Sequence, residues 1–229
     1  AREGAAVVVN DAGVAQDGEG SDIGPAEQTA ADIRAAGGAA HANTGSVADP
    51  AQAESIIGDA LTCFGRIDAV VNNAMLLRYE PVEAVTEETL NRMVSIGING
   101  TMWGVQALLA HYDQVRGGAI INMASPVAEK GFPNTSAYSL VKGAILTLTK
   151  ALSAELGPRN VRVNALAPGS VPTPGSLGLN DRAEYERRKR TIPMRRLGRE
   201  EDNAEACAFL LSPEASFING EILHVDGGI

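Results

Sequence analysis

Aromatic residues are scarce, with Phe, Trp and Tyr making up 4% of the 229 residues. That balance, beside 25 glycines and abundant alanine, suits close helix–sheet packing better than a β-sandwich. Cysteine is rarer still. Cys63 and Cys207 lie far apart with no C-x-x-C spacing, and they read as reduced, buried small hydrophobes of a cytoplasmic protein, with a disulfide between them left open. Basic residues are outnumbered 19 to 28, for a net charge of −9 and a pI near 4.9. This argues against a nucleic-acid partner, because backbone phosphates select for a basic surface. Long hydrophobic runs are missing too. Ala6–Val9 and Ala206–Leu211 fall well short of the roughly 20 residues that cross a bilayer, so no membrane span is expected. No signal peptide precedes the first strand-like segment, and the chain opens on Ala1-Arg2-Glu3-Gly4, which reads like the tail of a helix.

What is present is a rhythm. At 45% hydrophobic the chain can bury one substantial core, and a single domain over residues 1–229 is expected. Strand-like runs at Ala5–Asn10, Ala39–Asn43, Ile67–Asn72, Ala119–Met123, Val161–Leu166 and Glu221–Val225 alternate with helical patterns. The latter fall at Pro25–Ala36, Pro50–Phe64, Thr86–Tyr112, Ser136–Leu156 and Glu200–Leu211. Such alternation predicts an α/β fold, a doubly wound and mostly parallel sheet with helices on both faces. The near-continuous apolar character of the strands fits burial on both sides. Asp11–Gly24 reads as a loop. Residues 170–193 carry several prolines and a charged helical stretch, Asp181–Arg190, and read either as a lid or as a surface excursion.

One constellation carries chemistry. Tyr138 and Lys142, at i and i+4 near a helix start, share a face, so an ammonium can sit beside a phenol. A free phenol with a pKa near 10 is a poor base, and a neighbouring cation is expected to lower that value. The alternative is a packed tyrosine with an exposed lysine. Ser125 follows the strand Ala119–Met123, thirteen residues before Tyr138, at a strand carboxyl end where ligands of parallel sheets bind. Its hydroxyl can bond a substrate carbonyl and stabilise a developing alkoxide. Asn99 sits in an apolar helical stretch, where it either caps or kinks the helix with Gly97 and Gly100 or holds a water relaying protons to Lys142. Asp11, ending the first strand, can accept from an adenosine ribose and repel a 2′-phosphate, which favours NAD over NADP; it can equally be an ordinary loop-starting Asp. His41, His111 and His224 show no ligand spacing, so no metal site is expected.

Over nearly its whole length the chain resembles the short-chain dehydrogenase/reductase family. The resemblance rests on Asn72-Asn-Ala-Met75, Asn99, the Ser125/Tyr138/Lys142 set, Val161-Arg-Val-Asn-Ala-Leu-Ala-Pro-Gly169 and Asn219-Gly-Glu-Ile-Leu-His-Val-Asp-Gly-Gly228. It implies that Tyr138 is the acid/base, that Lys142 tunes it and binds the nicotinamide ribose, that Ser125 orients the substrate oxygen and that Asn99 supports the relay. It further implies cofactor contacts at Asn72, Ala74, Pro168, Gly169, Val171 and Thr173, with Ser46 and Val47 standing where the family places an Asp-Val pair against adenine. Long apolar helices pair across subunits in this family, so a homotetramer or homodimer is implied, with Trp103 and Phe217–Val225 as candidate interface elements.

Two departures stand out. The glycine-rich turn that cradles the cofactor pyrophosphate is not in the visible sequence. An upstream βα unit is the favoured expectation and a cofactor-less protein the rival. Met75 stands where the family has Gly; it either narrows the cofactor channel or lines the substrate pocket. The expected function is hydride transfer between NAD(H) and a secondary alcohol or ketone. The alternatives are a non-catalytic binding or regulatory protein and a sugar-nucleotide epimerase, the latter disfavoured by the short segment after Gly169. Eight of the nineteen basic residues fall between Arg182 and Arg199, which suggests either an anionic substrate or a solvated helix face.

Overall fold

The computed structural model describes residues 1–14, 22–173, 176 and 182–229. Parts of the Asp11–Gly24 loop and of the lid segment, Asp181 included, therefore lie outside the described residues. Among the described residues, six parallel strands form two sheets. The strands β1 (Val7–Asn10) and β2 (Ala40–Asn43) pair with each other. The others, β3 (Ala69–Asn72), β4 (Gly118–Met123), β5 (Val161–Pro168) and β6 (Ile222–Val225), pair in that order. Helix α1 (Gly24–Ala35) packs on β1 and β2, as does α2 (Pro50–Phe64). Helix α2 also packs on α4 (Gly100–His111), which covers β3, so one helical layer reaches across both sheets.

Alternation along β4 shows how the larger sheet is covered. Ile120 joins Val105 and Leu108 of α4 and Leu152 and Leu156 of α5 (Ser136–Leu156) in one core cluster. Its neighbour Ile121 joins Leu210 in another, with successive side chains facing opposite sides. Leu210 belongs to the last helix, α7 (Glu200–Leu211), so helices lie on both faces, as the α/β reading requires. Burial on both faces is realised by β4 and β5. The edge strand β3 keeps Val71 43% exposed, since an edge has a neighbour on one side only.

Helix α2 starts and stops where local chemistry dictates. Asp49 accepts from Gln52 N at 3.0 Å, Pro50 supplies the first helical φ, and Gly65 ends the helix at φ 76°. The stretch expected as one helix from Thr86 to Tyr112 is three pieces in one column. Thr86 caps α3 (Glu87–Val94) through Thr89 N at 3.1 Å, Ser95–Asn99 forms a π-helical turn, and α4 continues from Gly100. Counted together as Glu87–His111, this column is long and apolar enough to cross a membrane, a property that the run-by-run reading missed. Here its Met93, Val105 and Leu108 are buried in the protein.

Three glycines set the column against its neighbours. A Cβ on Gly97 would stand 2.5 Å from Val141 Cγ1 and 2.8 Å from Met75 Sδ, and one on Gly100 would stand 2.9 Å from Val47 Cγ2. At Gly104 it would overlap Asn72 Oδ1. The missing side chains permit this approach, and the extra residue of the π turn is absorbed where two of them meet. Both cysteines are free, but neither is buried as expected: Cys63 is exposed on α2 and Cys207 is partly buried in α7.

Candidate active site

The sequence-predicted residues gather at the carboxyl ends of the strands, where the connections of a parallel sheet leave room. Ser125 follows β4 and is almost wholly buried; its extended backbone lets its Oγ accept from Val127 N at 3.5 Å. Two residues into α5, Tyr138 packs with Met75, Leu76, Met93 and Val141. The Ser125 hydroxyl lies close enough to the Tyr138 phenol to favour its anion. One turn on, Lys142 is buried, with Nζ 5.7 Å from the Tyr138 ring centroid.

The expected tuning of Tyr138 by Lys142 is not what the structure holds. Burial raises the phenol's pKa above its ordinary value, the neighbouring Tyr79 raises it further, and only the Ser125 hydrogen bond pulls it back. The i, i+4 spacing brings the ammonium near the ring, but Nζ donates to the Met123 carbonyl at the end of β4. At neutral pH Tyr138 is therefore a protonated phenol, with a proton to donate first. Lys142 is itself driven down to about 8 by desolvation.

Below this set runs a buried polar chain. Asn72 Nδ2 donates to Asn122 Oδ1 at 2.9 Å, and Asn122 Nδ2 donates to Thr149 Oγ1 at 3.0 Å. Asn122 and Thr149 are fully buried, so the chain ties β3, β4 and α5 together under the site. The Asn72 side chain, expected on the cofactor, is engaged in this chain. Ala74 is exposed on the loop after β3. Asn99 is exposed too, and it directs no capping hydrogen bond into the helix that follows. Met75 is partly buried against Gly97, at the apolar cluster of Leu76, Met93 and Val141 on which Tyr138 also packs.

At the far end, Asp11 lies just past β1 and accepts from Gly13 N at 2.8 Å, the turn expected of a loop-starting Asp. Ser46 Oγ accepts from Ala48 N at 3.3 Å, and Val47 packs on Gly100. Pro168 ends β5. Gly169 N donates to Val225 O at 3.0 Å, and a Cβ there would stand 2.7 Å from Asp226 Cα. Val171 packs on Gly198. Thr173 N donates to Ser176 Oγ at 2.9 Å, which pins the segment that follows β5.

The structure adds a residue that the sequence reading passed over. The Tyr79 ring meets Tyr138 edge-on, with centroids 5.9 Å apart at 68°. Its position on the loop after β3, one of only four tyrosines and seven residues past Asn72, was the available signal.

The family profile described as Enoyl-(Acyl carrier protein) reductase matches residues 1–229. An uncharacterized oxidoreductase of Methylorubrum extorquens is 35% identical over 231 residues, covering 100% of this chain and 89% of that one. Among solved structures, 3-ketoacyl-(acyl-carrier-protein) reductase from Brucella melitensis complexed with NADH is 35% identical. It aligns over 99% of this chain and 88% of its own, with a TM-score of 0.87. A gluconate 5-dehydrogenase from Burkholderia cenocepacia in complex with NADP and tartrate is 30% identical, covers 99% and 86%, and also has a TM-score of 0.87. The chain belongs to the short-chain dehydrogenase/reductase family of oxidoreductases, and its fold is the Rossmann fold of that family.

Proposed function

We propose that this protein transfers a hydride between NAD(H) and a secondary alcohol or ketone, with Tyr138 as the proton donor and acceptor. The observation that carries the reading is the convergence of Ser125, Tyr138 and Lys142 at the end of β4, with a lysine buried beside a phenol whose anion a serine hydroxyl favours. A buried cation without an acidic partner costs stability, and functional sites are where such a cost is retained.

The donor set fits a nicotinamide dinucleotide. At one end, the Lys142 ammonium and the Thr173 hydroxyl suit a ribose and a carboxamide; at the other, the Asp11 carboxylate suits an adenosine ribose and disfavours a 2′-phosphate. Bound there, the cofactor supplies the hydride that reduces a carbonyl carbon. Ser125 donates to the substrate oxygen, and Tyr138 delivers its proton to that oxygen as the alkoxide forms. The phenol's raised pKa suits the reductive direction, in which the group must begin protonated. Lys142 compensates the phenolate left behind, and Asn99 carries the relay that replaces its proton.

In the same reading the protein works in the cytoplasm as a homodimer or homotetramer, and Phe217, fully exposed near the carboxyl end, supports self-association. Tyr138→Phe tests the central assignment. It should cut ketone reduction by about 10²–10⁴-fold, the range general acids contribute, and leave NADH binding by fluorescence titration intact. Turnover surviving that change refutes the assignment, and a chain that binds no NADH at millimolar concentration is not this enzyme.

A further inference from the structure

Helix α6 (Arg182–Thr191) is the most highly charged element described, and it buries one side chain, Tyr185. The Tyr185 hydroxyl lies 2.9 Å from Ser176 Oγ, which in turn bonds Val171 O at 3.0 Å. The helix is thus moored to the segment leaving β5. Arg188 lies one turn beyond Tyr185, on the same face. Its Nε donates to Glu184 Oε1 at 2.7 Å, and its Nη1 stands 3.5 Å from Ser170 Oγ, directly after Gly169. The same guanidinium lies near enough to the Tyr79 phenol to pull its pKa down against the rise that burial causes, and the Tyr79 ring is the one set edge-on against Tyr138.

We propose that Arg188, with the hydroxyls of Tyr79 and Ser170, is an anion-recognising subsite of the active site, and that the substrate is a ketone or alcohol bearing a carboxylate. The inference rests on the reading of Ser125, Tyr138 and Lys142 as the redox site and names the substrate class for it. Charge balance carries it first. Among the described residues, Arg187 and Arg188 both pair with Glu184, at 2.7 Å each, so these two guanidiniums share one carboxylate with one positive charge in excess. Geometry carries it second. A guanidinium has five N–H donors in a planar fork, so contacts with Glu184, Ser170 and Tyr79 leave room for a carboxylate. Position carries it third, because Arg188 reaches Tyr138 through a single ring. Its side chain is 31% exposed, half-withdrawn from solvent but open to a ligand entering from outside.

The test pairs 3-oxobutanoate, 4-oxopentanoate and 6-oxoheptanoate with their methyl esters, using the full chain and NADH or NADPH. The acids should be preferred over their esters, and added salt should erode the preference. Arg188→Met should lower the acid-to-ester ratio of kcat/KM by about 10²-fold, with the loss carried in KM, and Arg188→Lys should restore part of it. A ratio unchanged by Arg188→Met overturns the inference. If no ketone is reduced with either cofactor, the functional reading fails, and calorimetric titration with 6-oxoheptanoate then decides the subsite separately. Binding that Arg188→Met abolishes sustains the subsite, and absence of binding to the wild type overturns it.

Discussion

Replacing Lys142 by Met should make the protein more stable at neutral pH while removing its proposed activity. Desolvation lowers the lysine from 10.5 to about 8. At 1.36 kcal/mol per unit, burying the charged form costs on the order of 3 kcal/mol. Below pH 8 that cost is present in full, because folded and unfolded chains both hold the proton. Between pH 8 and 10.5 the unfolded chain holds it and the folded chain does not, so stability rises with pH; above 10.5 the penalty is gone. Methionine removes the charge but also the donor to the Met123 carbonyl, a loss of about 1–2 kcal/mol. The net gain at pH 7 is then about 1–2 kcal/mol, or roughly 2–8 °C in Tm for a chain of this size. Urea unfolding of both proteins at pH 7, 9 and 10 measures it. A variant less stable than wild type at pH 7, or a difference that does not narrow with rising pH, refutes the reasoning.

Gly104→Ala drives a methyl group into Asn72 Oδ1 and should cost about 1–3 kcal/mol of stability as α4 is pushed off β3. Adding Asn72→Ala should recover part of that loss, a coupling that a double-mutant cycle on unfolding free energies would expose. Asp11→Asn should raise the NADPH-to-NADH ratio of kcat/KM by about 10-fold by removing the charge that repels a 2′-phosphate; an unchanged ratio would leave Asp11 as the cap of its own turn.

The parts legible in the sequence are those with local causes. Helices α2, α5 and α7 begin and end where the sequence placed them; α2 has the Asp49 cap, Pro50 and Gly65 beside it, and α7 has the Asp202 carboxylate on Arg199 N. Strand ends shifted by one or two residues, as at β5, which runs on to Pro168 because Val225 remains to pair with it. The π turn at Ser95–Asn99 was not legible, because it answers to Val141 and Val47, far away in the chain. The proximity of Tyr138 and Lys142 was readable from their spacing. The direction of the phenol's shift was not, because no spacing reveals how deeply Tyr138 is buried or that Tyr79 lies against it. The approach of Tyr79 to Tyr138 depends wholly on how the loop after β3 meets α5.

The three glycine contacts of the α3–α4 column act together as a kinematic mount. Gly97 rests on Val141, Gly100 on Val47 and Gly104 on Asn72, and three points of support fix a plane. The tilt of the column is thus set by the size of residues across from it rather than by anything on its own surface. Bulk added at position 47 would pivot the column about the other two supports, and bulk at 141 would pivot it differently. Asn99, lying between the first two supports, would swing in either case. Adjustments that reorient this residue can therefore arise on the loop after β2 or within α5, without any change to Asn99 itself.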